Sequence, residues 1–285
     1  MDAQGPRYSI VVPVFDEEGA AAALALEIAA AFAGEAFEII FVDDASSDGT
    51  RAALIALLPG IPELRVICHA RNAGQSRAIR TGVLAARGPV IVTLDGDGQN
   101  DPADAPALAR ALEAGPARLG LIGGERRERK DRAAKRWASR LANGVRRRLL
   151  RDRAADTGCG LKAMRREAFL RLPYFDHMHR YLPALMLREG YEIDFWVVNH
   201  RPRLAGRSKY SNLGRLWAAV SDLGGVMWLT SRSRDPGPIE EASSKHLSQR
   251  EREGPIGLAQ QGRGEGEGLR SWRLKRWPCF GGSTA

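Results

Sequence analysis

From Tyr8 onward the chain alternates short β-branched apolar runs with longer, Ala-rich stretches. The apolar runs cover residues 8–14, 37–42, 64–68 and 89–94, with a weaker one at 118–123. Their length and composition predict strands. The stretches between them, 17–32, 47–58, 74–86 and 102–114, are long enough for helices. Strands that alternate with helices in this way predict an α/β fold, a mostly parallel sheet flanked by helices on both faces. Such sheets bind ligands outside the carboxyl ends of their strands, so chemistry is sought there.

The second half reads differently. Residues 125–153 hold thirteen Lys/Arg against four Asp/Glu, a net charge of +9. Segments 156–165 and 192–198 read as extended, and 181–188 and 212–229 as helical. In 212–229 the apolar positions Leu213, Leu216, Trp217, Val220, Leu223, Val226, Met227 and Trp228 follow a helical period, with Arg232 and Arg234 beyond. That pattern suits packing onto the domain or lying in a membrane interface. From about Asp235 the composition turns to Gly, Pro, Ser, Glu and Arg, including GRGEGEG, and predicts a disordered tail. The expected organisation is a catalytic domain over 1–211, an amphipathic helix over 212–234 and the tail over 235–285. Within the domain, 1–124 is expected to bind nucleotide and 125–211 the acceptor.

Composition narrows the partner. The 285 residues carry a formal charge of +9, which calls for an anionic partner without choosing among nucleic acid, lipid and phosphorylated substrate. The three cysteines, Cys68, Cys159 and Cys279, are widely spaced and form no metal or disulfide framework. They fit a reducing cytosol, with Cys68 and Cys159 expected to be buried. Neither a signal peptide nor a membrane-spanning segment is expected, since no apolar run reaches the ~20 residues a bilayer requires.

The most specific segment is Val92-Thr-Leu-Asp95-Gly-Asp97-Gly-Gln99-Asn-Asp101-Pro102. An apolar strand delivers Asp95 and Asp97 at its carboxyl end, and Gln99 adds an amide. Two carboxylates that close repel unless a cation lies between them, and oxygen donors of this kind suit Mg²⁺ or Mn²⁺. Asp101 with Pro102 reads as the cap of the next helix. Earlier, 37–42 runs into Asp43-Asp44-Ala-Ser-Ser-Asp48-Gly49-Thr50, where Ser47 or Asp48 is expected to cap a helix. One of Asp43 and Asp44 is expected to accept hydrogen bonds from a base or ribose. After the first strand, Pro13-Val-Phe15-Asp16-Glu17 could wall a base pocket.

VVPVFDEE, VDDASSDGT, ARNAGQSRAIRTG and DGDGQNDP, in this order and spacing, resemble the family-2 glycosyltransferases of GT-A fold. Within them the chain is similar to the dolichol-phosphate mannosyltransferase-like branch, which includes bacterial enzymes acting on undecaprenyl phosphate. The likeness runs from Tyr8 to about Arg234. It implies that Asp95, Asp97 and Gln99 hold the metal, and that Pro13, Phe15, Glu17 and Asp44 line the nucleotide pocket. The branch has Tyr-Asn where this chain has Phe15-Asp16, which removes a hydroxyl contact. The stretch GGERRERKDRAAKRWASRLANGV resembles the part that carries arginines for the sugar nucleotide and the acceptor phosphate. Arg126, Arg140 and Asn143 are the positional matches. Asp156-x-x-x-Gly160-Leu-Lys162 matches a segment near the reacting centre, and the segment from His179 to Pro183 would open a helix beside the acceptor site. In the final motif, Arg203, Ser208 and Lys209 could close over the diphosphate.

The implied reaction is a displacement at the anomeric carbon by an acceptor phosphate, with inversion and loss of the nucleoside diphosphate. The implied partners are a UDP- or GDP-linked sugar and a polyprenyl phosphate, met by a peripheral protein at the cytoplasmic face of a membrane. An ionised phosphate acceptor removes the need for a strong base. Asp156 then orients an arginine or the acceptor. A hydroxyl acceptor in cell-envelope polysaccharide synthesis is the variant reading. A nucleotidyltransferase would carry a Gly-rich basic loop after the first strand, and a dinucleotide oxidoreductase a GxGxxG; neither is present. A nucleic-acid or anionic-membrane binding protein built on the Arg-rich segment 126–153 would give the acidic strand ends no role.

Overall fold

The computed structural model describes residues 5–126, 144, 146, 148–150, 152, 154, 156–201 and 212–233, the side chains of 212–219 excepted. Most of the basic segment and the tail from 235 lie outside the described residues.

The apolar runs form strands close to where the pattern places them: β1 (Tyr8–Val14), β2 (Phe37–Asp43), β3 (Leu64–Cys68), β4 (Val90–Thr93) and β5 (Leu119–Arg126). Two more follow, β6 (Lys162–Arg165) and β7 (Glu192–Val198). The helices are α1 (Glu18–Ala31), α2 (Thr50–Ala56), α3 (Gln75–Ala85), α4 (Ala105–Ala114), α5 (Arg166–Arg171), α6 (Leu182–Arg188) and α7 (Asn212–Arg232). Single 3-10 turns at Pro102–Asp104 and Met178–Arg180 precede α4 and α6.

All seven strands belong to one sheet in the order β3-β2-β1-β4-β6-β5-β7. β1 is central and parallel to both β2 and β4. The chain winds outward from β1 through β2 to β3, then returns to lay β4 on the other side. The carboxyl ends of β1 and β4 therefore flank the point where winding reverses, the place such sheets leave a crevice. β6 runs antiparallel to both β4 and β5, with Lys162 in register with Thr93. The sheet is thus mostly parallel with one reversed strand, and that reversal brings the start of β6 beside the end of β4. Only 162–165 of the predicted extended run 156–165 is strand. β5 continues past the predicted 123 because its pairing with β7 extends to Arg126 opposite Val198.

Period-two alternation divides each central strand between two cores. Ile10, Val12, Ile39 and Phe41 pack with α1 and α4 on one face. Val11, Ile40 and Val42 pack with α3, α5 and α6 on the other, joined by Val226 of α7. Burial on both faces is why these strands read as continuous apolar runs. β3 is an edge strand in which only Leu64 is buried, and Cys68 at its end is exposed rather than buried as expected. Cys159 is buried. Asp48 accepts from Thr50 N at 3.0 Å, but the N-cap position of α2 is Gly49 and Ser47 bonds instead to Asp16.

One polar group inside this framework carries a stability consequence. Glu38, 4% exposed on β2, accepts from Ser9 Oγ at 2.7 Å, Arg87 N at 2.6 Å and Arg65 Nη1 at 2.5 Å. Burial raises its pKa, but these donors outweigh it and the net shift is downward. A lowered carboxylate pKa contributes stability above the unfolded value, lost as pH falls through the folded one. Glu38→Gln is expected to cost about 1–3 kcal/mol in urea unfolding at pH 7. The gap to wild type should close as pH drops below the ordinary value of 4.5. A gap that persists unchanged into strong acid contradicts this account.

Candidate active site

β4 ends at Thr93, and the chain turns sharply through 95–100. Asn100 closes the turn by accepting Asp95 N at 2.9 Å, and Asp97 Oδ1 accepts Gln99 N at 3.1 Å. Gly98 sits at φ 71°, a conformation that favours glycine. Asp101 then accepts Ala103 N at 3.0 Å and starts the helical segment, as its spacing to Pro102 predicts. On the outer side, Asn100 bridges His200 as an isolated antiparallel pair, and Arg201 N donates to Gln99 O at 2.9 Å. Arg201 also reaches Asp101 at 2.7 Å. The residues leading into the final basic motif are thereby anchored against the acidic turn.

Asp95 lies at the foot of the crevice. Gln75 Nε2, from the first residue of α3, donates to its Oδ1 at 2.8 Å. Burial raises the Asp95 pKa first, and the charge of Asp97 adds to the rise against Lys162, Gln75 and Arg126. Asp97 itself is 7% exposed. Gly160, just before β6, packs so closely that a Cβ there would overlap the Asp95 carboxylate. The reversed strand thus delivers a residue without a side chain where the carboxylate needs room.

A cavity of about 440 Å³ opens over this point. Its walls include Gln75, Asp95, Arg126, Lys162, His179 and Arg180. Arg126, at the end of β5, makes a two-pronged ion pair with Asp156, at 2.5 Å and 2.8 Å. Burial would lower the Arg126 pKa, but the Asp156 bond and charge raise it. Lys162, 5% exposed, donates to Cys159 O. The cations Arg126, Lys162 and Arg180 line the cavity with the carboxylate of Asp95, and Asp156 pairs with Arg126. That excess of positive groups suits an anionic ligand.

The oxygen-only donor set fits a hard divalent cation. Burial first and the charge of Asp97 second lift Asp95, and an ion beside it would favour its charged form. Among the described residues no group of three or more His, Cys, Asp or Glu forms a ready-made cage. The two aspartates would hold the ion together with substrate phosphate and water, the usual manner for Mg²⁺.

The other predicted site residues are placed as follows. Pro13 lies in β1 opposite Val42, and Phe15 and Glu17 follow it, half-buried. Glu17 N donates to Thr50 Oγ1 at 2.8 Å, so this loop is stitched to the one after β2. Asp44 is 3% exposed, and its oxygens are engaged by His69 at 2.7 Å, Ala73 N at 2.9 Å and Gly74 N at 2.8 Å. It shapes the crevice by holding the 69–74 loop. Asp43 turns inward to Arg51 at 2.8 Å. Arg140, Asn143, Arg203, Ser208 and Lys209 lie outside the described residues. Gln75, Lys162 and His179 line the cavity without having been singled out by their own chemistry. Each falls inside a motif visible in the sequence, but only packing shows which motif members face the cavity.

Asp95, at the switch point of an α/β sheet and with Asp97 close enough to act on its charge, faces a cavity walled by cations, an arrangement suited to an anionic ligand. The model of Glycosyl transferase family 2 matches residues 9–172. The chain is 34% identical over 244 residues to dodecaprenyl-phosphate galacturonate synthase of Rhizobium johnstonii, covering 82% of this chain and 70% of that one. It is 36% identical over 222 residues to undecaprenyl-phosphate 4-deoxy-4-formamido-L-arabinose transferase of Pseudomonas aeruginosa, covering 75% of this chain. It spans 63% of that relative's length, under two thirds. The chain belongs to glycosyl transferase family 2. Its fold is shared with glucosyl-3-phosphoglycerate synthase of Mycobacterium tuberculosis, solved with Mn²⁺, UDP-glucose and glycerol 3-phosphate. That match has a TM-score of 0.60 at 20% identity, over 82% of this chain and 83% of the other. The same enzyme solved with Mg²⁺ and UDP gives a TM-score of 0.61 at 19% identity, over 82% of each chain.

Gly160→Ala tests the packing on Asp95. A methyl group there must displace the carboxylate, so Mn²⁺-dependent UDP binding by calorimetry should weaken at least roughly tenfold. Secondary structure by circular dichroism should stay unchanged. Full-strength binding in that variant contradicts the geometry.

Proposed function

We propose that this protein transfers a sugar from a nucleoside diphosphate to a polyprenyl phosphate at a membrane surface, with Mg²⁺ or Mn²⁺ held by Asp95 and Asp97. The observation that carries this reading is Asp95 at the end of β4, lining the cation-walled cavity, with the charge of Asp97 acting on it from the following turn. The relatives named for dodecaprenyl- and undecaprenyl-phosphate products support the acceptor class.

The bound cation would neutralise charge growing on the leaving diphosphate. The chain's own residues do the rest. Gln75 fixes one oxygen of Asp95, leaving the carboxylate in a defined orientation. Lys162 and Arg180 add fixed positive charge where the diphosphate separates. Asp156 holds Arg126 by both prongs, so it acts as a positioning residue for the guanidinium, which grips phosphate oxygens. Among the described residues the cavity offers no paired carboxylate–imidazole base. An acceptor phosphate is already ionised near neutral pH and needs none. Attack of a phosphate oxygen on the anomeric carbon from the face opposite the leaving diphosphate inverts that centre. Arg140, Asn143, Ser208, Arg203 and Lys209 are proposed to complete the phosphate sites, and Pro13, Phe15, Glu17 and the Asp44-held loop the nucleotide wall.

Peripheral contact with the cytoplasmic membrane face is part of the proposal. No described helix is long and apolar enough to cross a membrane. On α7, Val226 is buried against the core while Val220, Met227 and Trp228 are exposed. The Arg232 guanidinium lies 5.9 Å from the Trp228 ring. An apolar face edged by Trp and Arg suits an interface with anionic lipid.

Asp97→Ala is expected to lower kcat by roughly 10²–10³-fold while unfolding at the same denaturant midpoint or above it. The assay is a panel of UDP- and GDP-sugars with polyprenyl phosphate and Mn²⁺. Near-normal turnover contradicts the assignment. Val220→Glu with Trp228→Glu should abolish co-sedimentation with phosphatidylglycerol vesicles. Equal co-sedimentation argues against lipid docking by α7.

A further inference from the structure

His179 and Ser76 form a pairing that the transfer chemistry above does not use. Ser76 is the second residue of α3 and is 1% exposed. Its neighbour Gln75 holds Asp95, so two successive side chains from one helical turn engage two lining residues of the same cavity. The Ser76 hydroxyl lies 2.8 Å from His179 Nδ1. It also accepts the backbone N–H of His179 at 3.3 Å. The hydroxyl has one hydrogen and a second acceptor site, and among the described residues its hydrogen meets no acceptor other than Nδ1. Nδ1 is then the acceptor, and the ring proton sits on Nε2.

The imidazole is also kept neutral. Burial pushes its pKa down to about 3, with further lowering by Arg180, Lys162 and His177. Nε2 has no hydrogen-bond partner among the described residues, and His179 lines the cavity. The wall therefore presents an uncharged ring donor beside three cations, Arg126, Lys162 and Arg180, with Thr157 as a further neutral donor. Phosphate oxygens are drawn to the cations, where a charge-assisted bond is stronger. A neutral, fixed donor is suited to a group with no charge of its own. In the proposed substrate the uncharged groups are the base, the ribose and the transferred sugar; the residues read as the nucleotide wall, Pro13, Phe15, Glu17 and Asp44, do not line this cavity, which leaves a hydroxyl of the transferred sugar.

We infer that His179 is a specificity contact for a hydroxyl of the donor sugar, and that Ser76 is the positioning residue that fixes its Nε2–H tautomer. The inference rests on the sugar-nucleotide reading of the cavity. It adds the part of the substrate that this wall reads: the sugar, not the nucleotide. A site built to hydrogen-bond a hydroxyl discriminates strongly against an analogue that lacks it, because the polar partner is left unmatched.

The test uses the whole chain in two parts. In ¹⁵N-labelled protein without ligand, long-range ¹H–¹⁵N spectra should show His179 as the Nε2–H tautomer, unchanged between pH 8 and pH 5. In Ser76→Ala the same spectra should show a tautomer mixture. An Nδ1–H tautomer in wild type overturns the inference without any ligand. Binding is then measured with Mn²⁺ for UDP, UDP-glucose, UDP-galacturonate, GDP and GDP-mannose. For the best-bound sugar nucleotide, His179→Phe should reduce affinity relative to its bare nucleoside diphosphate about tenfold. His179→Gln, which restores a neutral donor, should recover part of that loss. Bare UDP or GDP should bind all variants alike. Equal loss for sugar nucleotide and bare nucleotide, or no loss for either, overturns the contact. Failure of wild type to bind UDP or GDP at all instead sinks the transferase reading beneath it.

Discussion

The structure turns on two aspartates that electrostatics alone would keep apart. β4 delivers Asp95 into a buried position, which raises the cost of its charge, and the turn after it brings Asp97 near enough to add to that cost. The rest of the cavity compensates for that arrangement. Gln75 ties one oxygen of Asp95, and Lys162 and Arg126 act on it with opposite charge. Gly160 stands back so that the carboxylate fits. None of these groups cancels both negative charges, because Arg126 is committed to Asp156. The site is left fitted for an added divalent cation and an anionic substrate together.

The topology makes this arrangement possible. The winding reversal at β1 and β4 opens the crevice, and the antiparallel insertion of β6 places Gly160 and Lys162 across from the end of β4. A purely parallel sheet would have sent the start of β6 to the opposite edge of the molecule. α3 contributes from the other core, its first turn supplying Gln75 to the cavity and Ser76 to the lining residue His179. The cavity is thus built by parts from both halves of the chain.

Much of this was legible in the residues. The five strands of the first half and the four helices between them follow from apolar runs and Ala-rich stretches, because burial on both faces leaves an unbroken pattern. Asp95 and Asp97 were legible because two carboxylates crowded at the end of an apolar strand repel each other and call for a cation. The reversal of β6 was not, since strand direction leaves no trace in composition. Nor did the sequence distinguish Asp43, which turns inward to Arg51, from Asp44, which holds the 69–74 loop; adjacent strand-end aspartates look alike until packing separates them. Lys162 and His179 fell inside motifs read as lying near the reacting centre and the acceptor, but only the fold shows that both line one cavity. Cys68 was misplaced because its strand is apolar enough for an interior position yet lies at the sheet edge.

The most direct measurement is anomalous X-ray scattering from crystals of the wild-type chain soaked with MnCl₂ and UDP. A manganese peak within coordinating distance of carboxylate oxygens from both Asp95 and Asp97, with the diphosphate on its open side, is the expected result. A nucleotide seated in the cavity with no manganese beside those aspartates, or manganese bound only elsewhere, would contradict the central claim.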